Sequence, residues 1–300
     1  MSEDTAPRPG TAGPVVSESS KTVLVTGSSS GLGLASVVAM SARGWNVFAT
    51  MRDPSRSAPL TSALGDRPGP VHVLQLDLTD KHSIETAMAE VARRTDGRLD
   101  ALVHNAGTPG AGFFVDGGPD RLRETMETNV FGPAELTSAA LPALSAARGR
   151  IVVVSSVAAF ICLPGLSSYA ASKWALEGWC ASLAVELVPL GVDIALVEPG
   201  TYKTAIWQQP FGQSDDPQYR AWGEDLQRDM TANAQRMGRD PAEVGERIAR
   251  IIASPHPHFR NPAGPDSWAM WAISKVVPAG WRNRGLARLT HAPVPTSPGN

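Results

Sequence analysis

Thr22-Val23-Leu24-Val25-Thr26-Gly27-Ser28-Ser29-Ser30-Gly31-Leu32-Gly33 is a β-branched run that breaks into a glycine- and serine-rich turn and passes straight into a helical pattern. Glycines in such a turn let the backbone bend sharply and approach a ligand without Cβ clashes. The helix that follows offers unpaired N–H groups and the positive end of its dipole, a site for phosphate. The spacing is Gly-x-x-x-Gly-x-Gly rather than Gly-x-Gly-x-x-Gly. Its place between a first strand and a first helix makes Gly27, Ser29, Ser30, Gly31, Leu32 and Gly33 candidate contacts for a dinucleotide.

Outward from this turn, short apolar runs alternate with helical patterns. Strands are expected at Thr22–Thr26, Asn46–Thr50, Val71–Leu76, Ala101–His104, Ile151–Ser155 and Asp193–Glu198. Helices are expected near Leu32–Arg43, Lys81–Thr95, Asp120–Ala147 and Ser168–Leu190. Alternation of this kind implies right-handed βαβ crossovers, hence an α/β fold with a single doubly wound parallel sheet covered by helices on both faces. After residue 200 the strand signal fades. Aromatic residues stand among Gln, Asp and Gly, a helix reads at Pro241–Ala253, and His256–Asp266 is Pro-rich. The reading is a disordered extension over 1–20, one catalytic domain over 21–266 with a small substrate cap, and a C-terminal helix and tail over 267–300.

Bulk composition narrows the partners. The chain has 300 residues, 42% hydrophobic and 19% charged, with a net charge of −2, so nothing favours nucleic acid. No stretch reaches the ~20 apolar residues of a membrane span, and the N-terminus lacks the form of a signal peptide. Two cysteines, Cys162 and Cys180, give neither a disulfide framework nor a metal-ligand spacing, and each reads as a buried, inert thiol. This is compatible with a cytoplasmic protein, and no metal is expected.

A second constellation is Ser156, Tyr169 and Lys173. Tyr169 and Lys173 are four apart in a helical stretch and share a face. A phenol titrates near ~10, too high for acid-base work at neutral pH, and a neighbouring ammonium would lower it. Ser156 follows a strand end, where active sites of parallel sheets gather, and its hydroxyl suits a developing oxyanion.

Taken in order, Thr26-Gly27-x-x-x-Gly31-x-Gly33, His104-Asn105-Ala106-Gly107, Asn129, Ser156, Tyr169-x-x-x-Lys173 and Pro199-Gly200 resemble the short-chain dehydrogenase/reductase family over residues 21–205. The resemblance implies a seven-stranded Rossmann-like sheet and a tetrad of Asn129, Ser156, Tyr169 and Lys173. Tyr169 would be the acid-base group and Ser156 would orient the carbonyl. Lys173 would bind the nicotinamide ribose and lower the Tyr169 pKa, while Asn129 would hold a water that relays protons. The resemblance further assigns Asp77 to the adenine amino group, with Leu78 packing nearby. Asn105, Ala106 and Gly107 would lie beneath the cofactor, and Pro199, Gly200 and Thr204 by the nicotinamide. His104 replaces the usual Asn, at a position expected to face neighbouring structure. The helices around Asp120–Ala147 and Ser168–Leu190 resemble those that pair across two-fold axes, implying a homodimer or homotetramer with Leu136, Leu144, Trp174, Leu183 and Leu187 between subunits.

Cofactor choice rests on Thr50-Met51-Arg52-Asp53. NAD-preferring relatives carry an acid where Met51 falls. Here Arg52 follows instead, a planar donor suited to a 2′-phosphate, with Ser28 or Ser29 able to assist, so NADP(H) is preferred and NAD(H) remains an alternative. Asp53 reads as a cap before Pro54. The strand-end sequence resembles the steroid and retinol dehydrogenase branch, and Phe113, Phe114, Phe160, Leu163, Leu166, Trp207 and Phe211 flank the expected pocket, about half of them as packing residues. Together these point to a lipophilic ketone or secondary alcohol. Trp268, Trp271, Ile273, Val276, Val277 and Trp281, with nearby Lys and Arg, read as a lid or subunit contact in preference to a membrane-surface segment, because Pro278 interrupts the helix. A non-catalytic NAD(P)-binding regulator is the alternative function, though such a protein would be expected to lose Tyr or Lys. An epimerase would need different glycine spacing.

Overall fold

The computed structural model describes residues 21–65 and 69–293; the extension expected over 1–20 and the end of the tail, 294–300, lie outside the described residues. Seven strands form one sheet: β1 (Thr22–Thr26), β2 (Asn46–Met51), β3 (Val71–Gln75), β4 (Ala101–His104), β5 (Arg150–Val154), β6 (Asp193–Pro199) and β7 (Arg260–Ala263). Their order is β3-β2-β1-β4-β5-β6-β7, and every neighbouring pair is parallel. The order reverses between β1 and β4, which opens a crevice beyond their C-terminal ends where ligands of such sheets bind.

Ten α-helices surround the sheet among the described residues. They are α1 (Gly31–Ser41), α2 (Ala58–Leu64), α3 (Lys81–Thr95), α4 (Phe114–Met126), α5 (Gly132–Ala147), α6 (Ser167–Glu186), α7 (Pro217–Met237), α8 (Ala242–Ala253), α9 (Pro265–Val276) and α10 (Ala279–Leu289). Strand side chains alternate between two cores. Val23 and Val25 pack with Val37 and Met40 of α1 and Val244 and Ile248 of α8, while Leu24 packs with α3, α5 and α6. Both faces are thus buried, which explains the nearly continuous apolar strands.

Several expectations need correction. The stretch Asp120–Ala147 is not one helix: α4 starts earlier, bends at Gly118-Pro119, and joins α5 through a π-helical turn at Glu127–Phe131. The cap contains the long helix α7, whose three buried residues Gly223, Leu226 and Ala234 leave little apolar period to read. β7, implied by the family resemblance but not by any strand pattern, holds Asn261 and Pro262. An edge strand tolerates a proline that a central one would not. Leu136, Leu144 and Leu187 belong to the core of the monomer rather than to a subunit interface. Cys180 is buried as expected, but Cys162 is exposed.

Candidate active site

The glycine turn sits at the C-terminal end of β1, facing the crevice. Ser30 starts α1 in extended conformation, and neither its own side chain nor an acidic residue in the first turn caps the helix. Those N–H groups are therefore left without a side-chain cap, the condition that phosphate binding at a helix start requires. A Cβ on Gly33 would lie 2.2 Å from the Gly27 carbonyl oxygen and 2.4 Å from Asn105 Nδ2, so helix and loop approach too closely for any other residue. The loop is braced from β4: Asn105 Nδ2 donates to the carbonyls of Thr26 (2.9 Å) and Gly27 (3.2 Å). Thr26 Oγ1 accepts from the N–H groups of Asn105 and Ala106. Thr26, which enters the sequence analysis only as the end of the first strand and the first residue of the glycine motif, is the hub of this bracing. His104 is buried against Thr137, at 2.8 Å, and burial pulls its imidazole down to about 3, so it is a neutral packing residue facing neighbouring structure.

At the end of β2, Met51 turns into the core at 4% exposure, while Arg52 is exposed and has no ion-pair partner among the described residues. Asp53 caps the next turn by accepting from Ser55 N, as expected. Ser28 is corrected: its hydroxyl is fully buried and donates to Val25 O at 2.8 Å, so only Ser29 remains to assist Arg52. The Ser28 N–H binds Thr50 O and thereby holds the loop beside this strand end. Asp77 forms an Asx turn with Thr79 and is half-buried; Leu78 is in the core. Thr204 lies across the crevice, with its methyl 3.3 Å from where a Gly31 Cβ would stand. Gly200 packs on the Asp266 carboxylate, which also accepts from Thr201 N and so joins α9 to the Pro199-Gly200 turn.

Three consecutive residues at the end of β5 meet three residues one turn apart on α6. Val154 O accepts from Lys173 Nζ (2.9 Å), Ser155 Oγ donates to Glu177 Oε1 (2.6 Å), and Ser156, whose Oγ accepts from Ala158 N, stands beside the Tyr169 phenol. Contrary to the expectation that Lys173 lowers it, the phenol is pushed up by burial, opposed by Ser156. Burial likewise pulls the Lys173 ammonium down to about 8, opposed by the charge of Glu177. Lys173 Nζ lies 5.6 Å from the centre of the Tyr169 ring. Asn129 occupies the π turn, a deviation common at functional sites. Its Nδ2 donates to Thr108 O and Ser172 Oγ, and its Oδ1 accepts from Thr108 N. A Cβ on Gly107 would stand 3.1 Å from Asn129 Oδ1 and 3.9 Å from Lys173 Nζ, so the three adjoin.

With this geometry the comparisons agree. The profile of the short chain dehydrogenase family matches residues 21–214. The chain belongs to that family. Among curated relatives, this short-chain dehydrogenase is 36% identical to the uncharacterized oxidoreductase YusZ of Bacillus subtilis, over 81% of this chain and 89% of that one. It is 34% identical to human 17-beta-hydroxysteroid dehydrogenase type 1, over 79% and 76% of the two chains. A solved short-chain dehydrogenase from Streptomyces avermitilis superposes with a TM-score of 0.72 at 33% identity, covering 91% of this chain and 96% of that one. The protein is an NAD(P)-dependent oxidoreductase acting between carbonyl and alcohol.

Behind the dehydrogenase's Tyr-Lys pair lies a network the sequence reading did not single out. Arg260 of β7 donates from one nitrogen to Glu177 Oε2 (2.6 Å) and Glu198 Oε1 (3.0 Å). The available signal was that Tyr169, Lys173 and Glu177 recur every four residues on one helix face. Burial and the charge of Glu177 push the Glu198 carboxyl up to about 7 from its ordinary 4.5, against the pull of Arg260. The folded protein therefore holds a proton that the unfolded chain has released, and stability falls as pH rises from about 4.5 through about 7. Glu198→Gln removes this titration. Its melting temperature relative to wild type should rise between about pH 5 and about pH 8. A pH-independent difference in thermal melts would contradict the assignment.

Proposed function

We propose that this dehydrogenase interconverts a lipophilic ketone and its secondary alcohol, with NADP(H) preferred over NAD(H). The observation that carries the reading is the convergence of Ser156, Tyr169 and Lys173 at the open end of the sheet, with Lys173 Nζ fixed by Val154 O and 5.6 Å from the centre of the Tyr169 ring. The nicotinamide supplies the hydride. In reduction, Tyr169 hands its proton to the carbonyl oxygen while the Ser156 hydroxyl donates a hydrogen bond to that oxygen. Lys173, fixed by Val154 O, places a positive charge where the phenolate forms and offers its remaining donors to a ribose. Asn129 Oδ1 has a second lone pair for a water leading from Lys173 to solvent. On the nucleotide side, Gly27, Ser29, Ser30, Gly31, Leu32 and Gly33 would hold the pyrophosphate and Arg52 the 2′-phosphate. Asp77 and Leu78 would meet the adenine, Asn105, Ala106 and Gly107 would underlie the cofactor, and Pro199, Gly200 and Thr204 would face the nicotinamide. The complete tetrad favours catalysis over a purely regulatory role.

Lipophilicity is supported by the steroid-dehydrogenase relative and by the cap. Phe113 and Phe211 pack edge to face at 5.2 Å, and Trp222 stacks on Phe113 at 4.8 Å, giving the cap a small core of its own. Phe160 and Leu166 are also buried, while Phe114 is 62% exposed. The decisive experiment follows NADPH and NADH oxidation against ketones of graded apolar size. The reading expects kcat/KM to climb with apolar area and with NADPH; preference for small polar carbonyls would overturn it. Oligomerisation is proposed through the outer face of α6, where Trp174 (54%) and Val185 (73%) share an exposed stripe with Gly178 and Ala181. A dimer or tetramer mass by light scattering should drop towards the monomer in Val185→Glu. Monomeric wild type would exclude this contact.

A further inference from the structure

A helix on a protein surface ordinarily turns its apolar stripe inward. α9 does the reverse. Trp268, Ala269, Ala272, Ile273 and Val276, spaced to share one face, are all exposed, Trp268 at 53% and Val276 at 79%. The opposite face holds the helix to the body: Ser267 is buried and donates to Glu198 O at 2.6 Å, and Met270, Trp271 and Ser274 are half-buried. On α10, Trp281 is 73% exposed and shares its side of the helix with exposed Arg284 and Arg288.

Charge decides the occupant. Residues 267–293 contain Lys275, near the end of α9, together with Arg282, Arg284 and Arg288, and no Asp or Glu, in a chain whose net charge is −2. A two-fold pairing of this face with itself would set arginine against arginine. An anionic surface that also accepts apolar side chains satisfies both components. At 12 residues α9 is too short to cross a bilayer, and no helix among the described residues is long and apolar enough to do so.

We propose that the α9–α10 surface docks this protein on anionic lipid bilayers, with the outward stripe of α9 entering the acyl boundary and Arg284 and Arg288 of α10 lying on the headgroups. The docking face adjoins the catalytic cleft. Arg282 donates to Phe160 O at 3.2 Å, in the loop after Ser156, and Asp266 at the start of α9 binds the Thr201 N–H beside Gly200. Trp222 Nε1, donating to Thr290 O at 2.6 Å, fastens the far end of α10 to α7. The proposal stands without any substrate assignment, since it concerns where the enzyme sits and not what it turns over.

The test is co-sedimentation of the full chain with vesicles of phosphatidylcholine alone or mixed with phosphatidylglycerol, read together with quenching of tryptophan emission by brominated lipid. Wild type should bind the anionic vesicles, show quenching, and release at high salt. Arg284→Ala with Arg288→Ala should weaken partitioning roughly thirtyfold. Trp268→Glu with Val276→Glu should abolish quenching, and because both positions are exposed, circular dichroism should show an intact fold. Absence of wild-type binding to anionic vesicles, or equal binding by all three proteins, overturns the proposal. So does a fall in oligomer mass in the α9 variant without any loss of lipid binding, which would make the face a subunit contact.

Discussion

Tyr169→Phe should lower kcat by about 10²–10⁴ while leaving the dissociation constant for NADPH nearly unchanged, because it removes only the proton-transfer group. The substitution leaves the ring, and with it the packing on α6, in place. Wild-type activity should also fall toward alkaline pH in the reducing direction. Burial pushes the phenol up, so the protonated, proton-donating form dominates at neutral pH and is lost only as the phenol ionises. Steady-state kinetics and nucleotide titration on the same preparation check both points. Near-native turnover in the variant would remove Tyr169 from the chemistry.

Arg52→Ala should weaken NADPH binding by roughly ten- to a hundredfold, since a charge-assisted hydrogen bond contributes ~1.5–3 kcal/mol. NADH lacks the 2′-phosphate, so its affinity should stay the same. The geometry favours this contrast: Arg52 is exposed at the strand end, and Ser28 N–H holds the glycine loop against Thr50 O just before it. Ser29→Ala should add a smaller loss for NADPH only, whereas the buried Ser28 hydroxyl contributes to folding instead. Dissociation constants for both dinucleotides across these variants separate the contributions. Equal weakening of both cofactors would make Arg52 a solvated surface charge.

Much of the fold was legible because local and global signals agreed. Where β-branched runs alternate with helical patterns, as from Thr22 to Glu198, the alternation places six strands within a residue or two. Legibility failed where tertiary context overrode local preference. Asn261 and Pro262 form a strand only because β6 offers an edge, and α7 buries too few side chains for its period to show. At the site, the spacing of Tyr169 and Lys173 put them on one helix face, but their expected roles, like that of Asn105, came from the ordered family motifs. Glu177, Arg260 and Glu198 were not readable, because their meaning lies in a contact between α6 and a strand 83 residues later. Leu136 and Leu144 misled for a related reason. An apolar helix face looks the same in sequence whether it covers its own sheet or another subunit.

During synthesis β6 leaves the ribosome long before its outer neighbour. Were Asp193–Pro199 to pair with β5 as the chain is made, its other edge would stay open until Arg260–Ala263 emerges beyond α7 and α8. An unpaired apolar edge is a template for association with other nascent chains. β7 ends that exposure. Its brevity, and a proline that offers no N–H to a further strand, leave the finished sheet with a margin that cannot readily recruit another chain. Among the described residues, β7 is thus a stopper for this edge of the sheet as much as a structural member.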